Sequence, residues 1–156
     1  MLNHKYRQIG AVEEQRKAVF DAFFWGYGVT KVGYSYETIA EDDKDYVLKD
    51  SPFLKRIKPE DFGCHPMATG PDDSVFLVHR SLTTKERLKK NKRLKDLKEV
   101  EGEIPQYIKD KFPNAAQLSS LKDWVTLYEV HDQDQGMIYT FAGETHTLID
   151  KMEQPY

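Results

Sequence analysis

The most reactive residue types gather in one stretch, RIKPEDFGCHPMATGPDDS, residues 56–74, with the only cysteine, a histidine beside it, three prolines and four acids. Cys64-His65 could serve as a nucleophile with its base, or as half of a metal site. Sequence neighbours in a loop rarely point at one another, however, and no second cysteine or histidine pair stands at ligand spacing. Glu60-Asp61 would suit general acid and base work only if buried, and nothing in the sequence marks them so. Asp72-Asp73, after Gly70-Pro71, reads more simply as turn carboxylates that accept backbone N–H groups. HDQDQG, 131–136, has the alternating acids of a calcium loop but lacks the ligand number, the terminal bidentate Glu and the flanking helices. Strands flank it, so it reads as a polar hairpin turn. With no glycine-rich phosphate loop, GxSxG, HExxH or zinc-ligand set, no catalytic, cofactor-binding or metal residue is assigned, and no enzyme is expected.

Charge offers a different chemistry. Residues 85–98, KERLKKNKRLKDLK, hold eight Lys or Arg, while 41–50, EDDKDYVLKD, hold five acids. Lys85, Arg87, Lys89, Lys90, Lys92 and Arg93 could neutralise phosphates or face an acidic partner subunit. No aromatic sits among them to stack on a base, and charge runs are usually solvated, so a solvated helix face, or one turned to an acidic partner subunit, is the preferred reading. A net charge of −3 argues against a nucleic-acid binder over the whole molecule.

These residues need elements to position them. A chain of 156 residues makes one domain, and at that size buries roughly 68–70% of its unfolded surface. An unpaired Cys64 fits a reducing, cytoplasmic assembly environment, and no run of about 18 apolar residues or signal peptide is present, so no membrane is expected. Val12, Val19, Phe20, Phe23 and Tyr27 recur at helical spacing and predict an amphipathic helix over about 11–25, stopped by Gly26 and Gly28. Val32, Tyr34, Tyr36 and Thr38 alternate as one face of a strand, 41–45 turns, a second strand starts near Tyr46, and a third covers 53–58 with Pro52 as a bend. VFLVHRSL, 75–82, is a strand ending in a capping box between Thr83 and Glu86, with a helix from Thr84 to about Lys90. Leu94, Leu97 and Val100 suggest partial helix over 91–103, and Pro105 opens a short one with Ile108 and Phe112. Trp124 to Asp150 reads as a β-meander. The expected class is α+β, with an N-terminal amphipathic helix and a mostly antiparallel sheet or partly open barrel. A cluster of short helices at about 84–112, in an insert of about 84–113, and a C-terminal meander at about 123–150 complete it.

The order of these features resembles the N-terminal, wing region of tailed-bacteriophage portal proteins. DAFFWGYGVTKVGYSY (21–36) resembles that family's helix, G-x-G break and following strand. PFLKRIKPEDFGCHPMAT (52–69) is similar to its proline-, acid- and aromatic-marked stretch, with His65 where the family commonly has Asp before the proline. TTKERLKK resembles its T-x-x-E-L helix, and WVTLYEVHDQDQGMIYTF its following strand. Coverage runs from about Asp21 to Tyr156, although portal subunits are several times longer.

The resemblance implies a structural virion component, assembled in the host cytoplasm, whose full subunit forms a homo-oligomeric ring, typically a dodecamer. Its implied partners are other portal subunits, terminase, major capsid or scaffold protein, head-completion and tail proteins, and double-stranded DNA in the assembled particle. It also implies that Asp61, Phe62 and Pro66 shape the connector into the strand beginning near Val75. The alternatives are a stand-alone nucleic-acid-binding accessory protein using 85–98, and a small hydrolase or metal enzyme using His65, His79 or His131.

Overall fold

The computed structural model describes residues 6–41, 44–91, 93–98, 100–102, 104, 109–110, 112 and 123–154, with backbone alone for 36–41 and 44–49. The architecture is α+β. It comprises two compact units, Met1–Glu60 and Asp61–Tyr156. Among the described residues no helix is long and apolar enough to cross a membrane.

The described part of the first unit has residues 6–8 in helical conformation, the helix α1 (Ala11–Trp25) and two long strands, β1 (Val29–Glu41) and β2 (Lys44–Ile57). α1 has the predicted extent, and Gly26 closes it by donating its N–H to the Ala22 carbonyl at 3.0 Å. Its buried face is the reverse of the predicted one. Ala11, Ala18 and Asp21 are buried, whereas Val12, Val19, Phe20, Phe23 and Tyr27 are exposed. Small side chains and a charged clamp decide this. Arg56 of β2 grips both carboxylate oxygens of Asp21 through Nε and Nη2, and its backbone N–H donates to Glu14 Oε2 at 2.8 Å. Gly28 lets the chain turn back closely, since a Cβ there would overlap the Ala18 carbonyl.

β1 and β2 pair antiparallel from Val29↔Ile57 to Glu41↔Lys44, with a bulge at Glu37/Thr38. The two predicted strands near Tyr46 and at 53–58 are therefore one strand. Pro52, opposite Tyr34, does not break it, because each strand of a two-stranded ribbon keeps an open edge where a missing N–H leaves no partner unpaired. The expected burial of Val32 and Tyr34 is also reversed, as both are exposed. On the opposite face the Phe53 ring lies where a Cβ of Gly33 would be.

The second unit is a five-stranded antiparallel sheet in sequence order, β3 (Phe62–Cys64), β4 (Phe76–Thr84), β5 (Trp124–Asp132), β6 (Met137–Ala142) and β7 (Thr147–Glu153). It remains open rather than closing into a barrel. Polar turns join β5 to β6 and β6 to β7 directly, whereas β4 reaches β5 through residues 85–123, which include the helix Lys85–Lys90. A bulge at Thr140/Phe141 leaves Ile149 without a Cα partner, and its side chain is 1% exposed. Leu88, Val100, Val125, Ala142 and Ile149 form the core, flanked by Leu94, Leu97 and Leu127.

The cap and the helical insert differ from expectation. Thr83 pairs with Val125 inside the ladder, so the cap is Thr84, whose hydroxyl accepts from the Arg87 N–H at 3.4 Å. Glu86 then stands one position early for a capping box. Helix α2 (Lys85–Lys90) is a single short piece. The described residues between 93 and 104 are not helical, yet the Leu94, Leu97 and Val100 stripe still packs on the sheet. Of the helix expected at Pro105, residues 109–110 are helical and Phe112 is exposed and non-helical; Pro105 and Ile108 lie outside the described residues.

Candidate functional site

The connector 61–74 is built from the strand ladder outward. Asp61 ends a short 3-10 turn that starts at Pro59, and its Oδ1 accepts from Arg80 Nη2 at 2.8 Å and Nε at 2.9 Å. This ties the entry of β3 to the middle of β4. Phe62 and Cys64 then pair opposite His79 and Leu77. Pro66 is exposed in a turn closed by the Ala68 N–H on the His65 carbonyl at 2.9 Å. That position suits a proline, whose fixed φ matches the first corner of such turns.

Cys64 and His65 are committed separately. Cys64 is a half-buried free thiol within the ladder. His65 takes the Met67 N–H on Nδ1 at 3.2 Å and sets its ring edge-on to Phe76, with centroids 5.5 Å apart. Its own N–H donates to Ser74 Oγ at 2.9 Å. Asp73 accepts from the Thr69 N–H at 3.0 Å, the Thr69 hydroxyl at 2.8 Å and the Gly70 N–H at 2.9 Å. These bonds, led by the Thr69 backbone, favour the charged form and lower its pKa to about 2. Asp72 is exposed beside it.

HDQDQG is a hairpin turn in which Asp132 Oδ1 accepts from the Asp134 N–H at 3.1 Å and the Gln135 N–H at 2.9 Å. The carboxylate is spent on its own backbone. His131 Nε2 meets Glu129 Oε1 at 2.7 Å on the same face of β5. Among the described residues no three His, Cys, Asp or Glu side chains gather as a metal cluster.

The basic stretch is divided rather than continuous. Lys85 and Lys89 of α2, joined by Lys98, surround a cavity of about 370 Å³ whose remaining lining is Leu88, Leu97 and Val100. Three lysines thus line it together with an apolar floor that continues into the core. Arg87 and Lys90 are exposed and do not line it. Arg93 is drawn away, with Nη2 bonded to Asp150 of β7 and 3.3 Å from Met152 Sδ. The Lys95 N–H donates to the Ile149 carbonyl at 2.9 Å and fixes this segment along β7. Lys92 lies outside the described residues, as do Asp42 and Asp43 of the acidic turn.

Neither protein-family models nor curated proteins return a match to this chain. The site therefore rests on its own geometry. Sequence reading missed Lys98 as the third cation of the groove. The apolar spacing Leu94, Leu97, Val100 was the available signal, because it turns that segment onto the sheet and leaves Lys98 at the rim.

Proposed function

We propose that this chain is a structural virion component: part of a portal protein that forms the ring at the capsid vertex for DNA packaging, ejection and head-tail joining, and not an enzyme. The observation that carries the reading is where the resembling residues sit. Gly26 and Gly28 lie at the α1–β1 junction, with Gly28 against Ala18. Residues 52–69 lead from β2 through the Asp61–Arg80 tie into β3, and TTKERL straddles the change from β4 to α2. Resemblance concentrated at backbone junctions is what a shared architecture would retain.

On this reading, function is carried by surfaces. The groove bordered by Lys85, Lys89 and Lys98 suits a protein segment with carboxylates and apolar side chains better than a bare phosphate backbone, which has no use for an apolar floor. The acidic run 41–45 of a neighbouring subunit has the complementary charge, and such a contact joins two different patches, as a closed ring requires. Coat or scaffold protein, terminase, tail proteins and packaged DNA are the further partners, and the virion is the location.

The test is to express the complete native reading frame and image it by electron microscopy. Rings with a central channel are expected, and Lys85→Glu with Lys89→Glu and Lys98→Glu should reduce them. Uniform monomers from the complete frame would refute the reading. The accessory nucleic-acid reading draws on Lys85, Lys89 and Lys98 making no ion pair among the described residues. Steeply salt-dependent binding to duplex DNA, lost on reversing Lys89, Lys90, Lys92 and Arg93, would favour it instead.

A further inference from the structure

Among the described residues, the outer face of α1 carries the densest group of exposed large apolar side chains. Phe20, Phe23 and Phe24 are 64%, 86% and 72% exposed, with Val12 and Val19 also exposed on the same outer half of the helix. Rings of this size bury about 150–250 Å² each when covered, so with the valines the face offers on the order of 500–600 Å². That is the upper range of the largest patch on a monomer and approaches the roughly 800 Å² per partner of a standard interface. The Phe20 and Phe24 rings already meet at 4.7 Å between centroids, tilted by 45°, which reduces the ordering cost of binding.

The distribution of charge selects the occupant. Arg16 lies one turn before Phe20 and Phe24 one turn after it, about 6 Å away along the axis in each direction. Lys17 and Phe23 bracket Phe20 in the same way at three residues. Two such helices antiparallel about a two-fold axis at Phe20 keep each residue on its own side of the seam, so at about 100° per residue Arg16 of each copy meets Phe23 of the other, and Lys17 meets Phe24. Cations over aromatic faces are attractive pairs. Arg16 makes no ion pair among the described residues, and Lys17 reaches Glu14 at 2.8 Å from the rim of the face. The helix is therefore complementary to its own reverse, the condition for a two-fold contact between identical patches.

We propose that the outer face of α1 is a two-fold interface on which a second copy of this chain packs antiparallel about Phe20. The contact is independent of the portal reading, because a two-fold joins identical patches and a ring joins different ones. The mass of the 156-residue chain in solution tests the two-fold, and rings seen by electron microscopy test the portal reading.

Sedimentation equilibrium of this chain over a concentration series should give twice the 18.2 kDa monomer mass. Phe20→Glu and Phe20→Lys, each folded by circular dichroism because Phe20 is exposed, should each weaken association at least tenfold. Mixed together they should recover it, since the axis then pairs opposite charges. Three results overturn the proposal: a monomer up to about 1 mM, the weak end of measurable association; a dimer indifferent to Phe20→Glu; or a mixture no stronger than either variant alone. Capture of a monomeric chain by phosphatidylserine vesicles through this face would assign it to a membrane surface and also overturn the proposal.

Discussion

The two units stabilise themselves in opposite ways. In Asp61–Tyr156 the large aliphatic residues Val125 and Ile149 lie inside, joined by Leu88 and Val100, and α2 and the Leu94–Val100 segment exist to cover them. In Met1–Glu60 the buried positions of α1 are two alanines and an aspartate, the helix is fixed by Arg56, and the aromatics face out. Hydrophobic burial holds the first of these, and a charge-assisted clamp holds the second. A clamp sets geometry but buries little area. A unit built on one therefore keeps its apolar surface available.

The strongest way to break that contrast is Ile149→Ala. Deleting a fully buried Ile side chain should cost about 2–5 kcal/mol, read as a lower urea midpoint for residues of the sheet. An unchanged midpoint would mean that the second unit does not depend on its core. Asp21→Ala should act next, and only on the first unit, by leaving Arg56 without its bidentate partner. Hydrogen exchange should show faster opening of α1 amides while the sheet keeps its protection.

Acid should mimic this substitution. The hydrogen bonds from Arg56 hold the Asp21 carboxyl below its ordinary range, so their stabilisation is full above an unfolded Asp pKa of about 3.9 and is lost as pH falls through the lower folded value. The α1 amides should loosen in that window in the wild type and not further in Asp21→Ala. Val32→Thr, on the exposed ribbon face, should have the smallest effect, within about 0.5 kcal/mol. A larger loss in the urea midpoint would show that the ribbon's outer face is covered after all.

The contrast also explains what could be read from sequence. Alternation located the strands of the meander, although in β5 the buried Val125 stands on the face opposite the alternating Trp124, Thr126, Tyr128 and Val130, which are only half-buried. Helical periodicity gave the bounds of α1 but the wrong inner face, since it ranks Phe20 and Phe23 above Ala18 and Asp21. The decisive partner, Arg56, is 35 residues away. Pro52 suggested a break because sequence does not show that β1 and β2 stand alone as a ribbon. The connector was readable as architecture from its prolines and turn acids, whereas the Asp61–Arg80 tie was not, being a pairing set by register. The groove was half legible: its lysines were visible as a run, but their separation into Lys85, Lys89 and Lys98 depends on a non-helical segment lying along β7.

That segment has a consequence for how the protein behaves at high concentration. An open edge strand is a template for another chain's strand and a route to aggregation. The bulge at β7 presents the Ile149 carbonyl to Lys95, Arg93 reaches Asp150 beside it, and the opposite edge strand, β3, is three residues long. The sheet thus offers little backbone for strand addition. The β1–β2 ribbon, by contrast, keeps both of its long edges open, so copies crowded together should add strands there and not at the sheet.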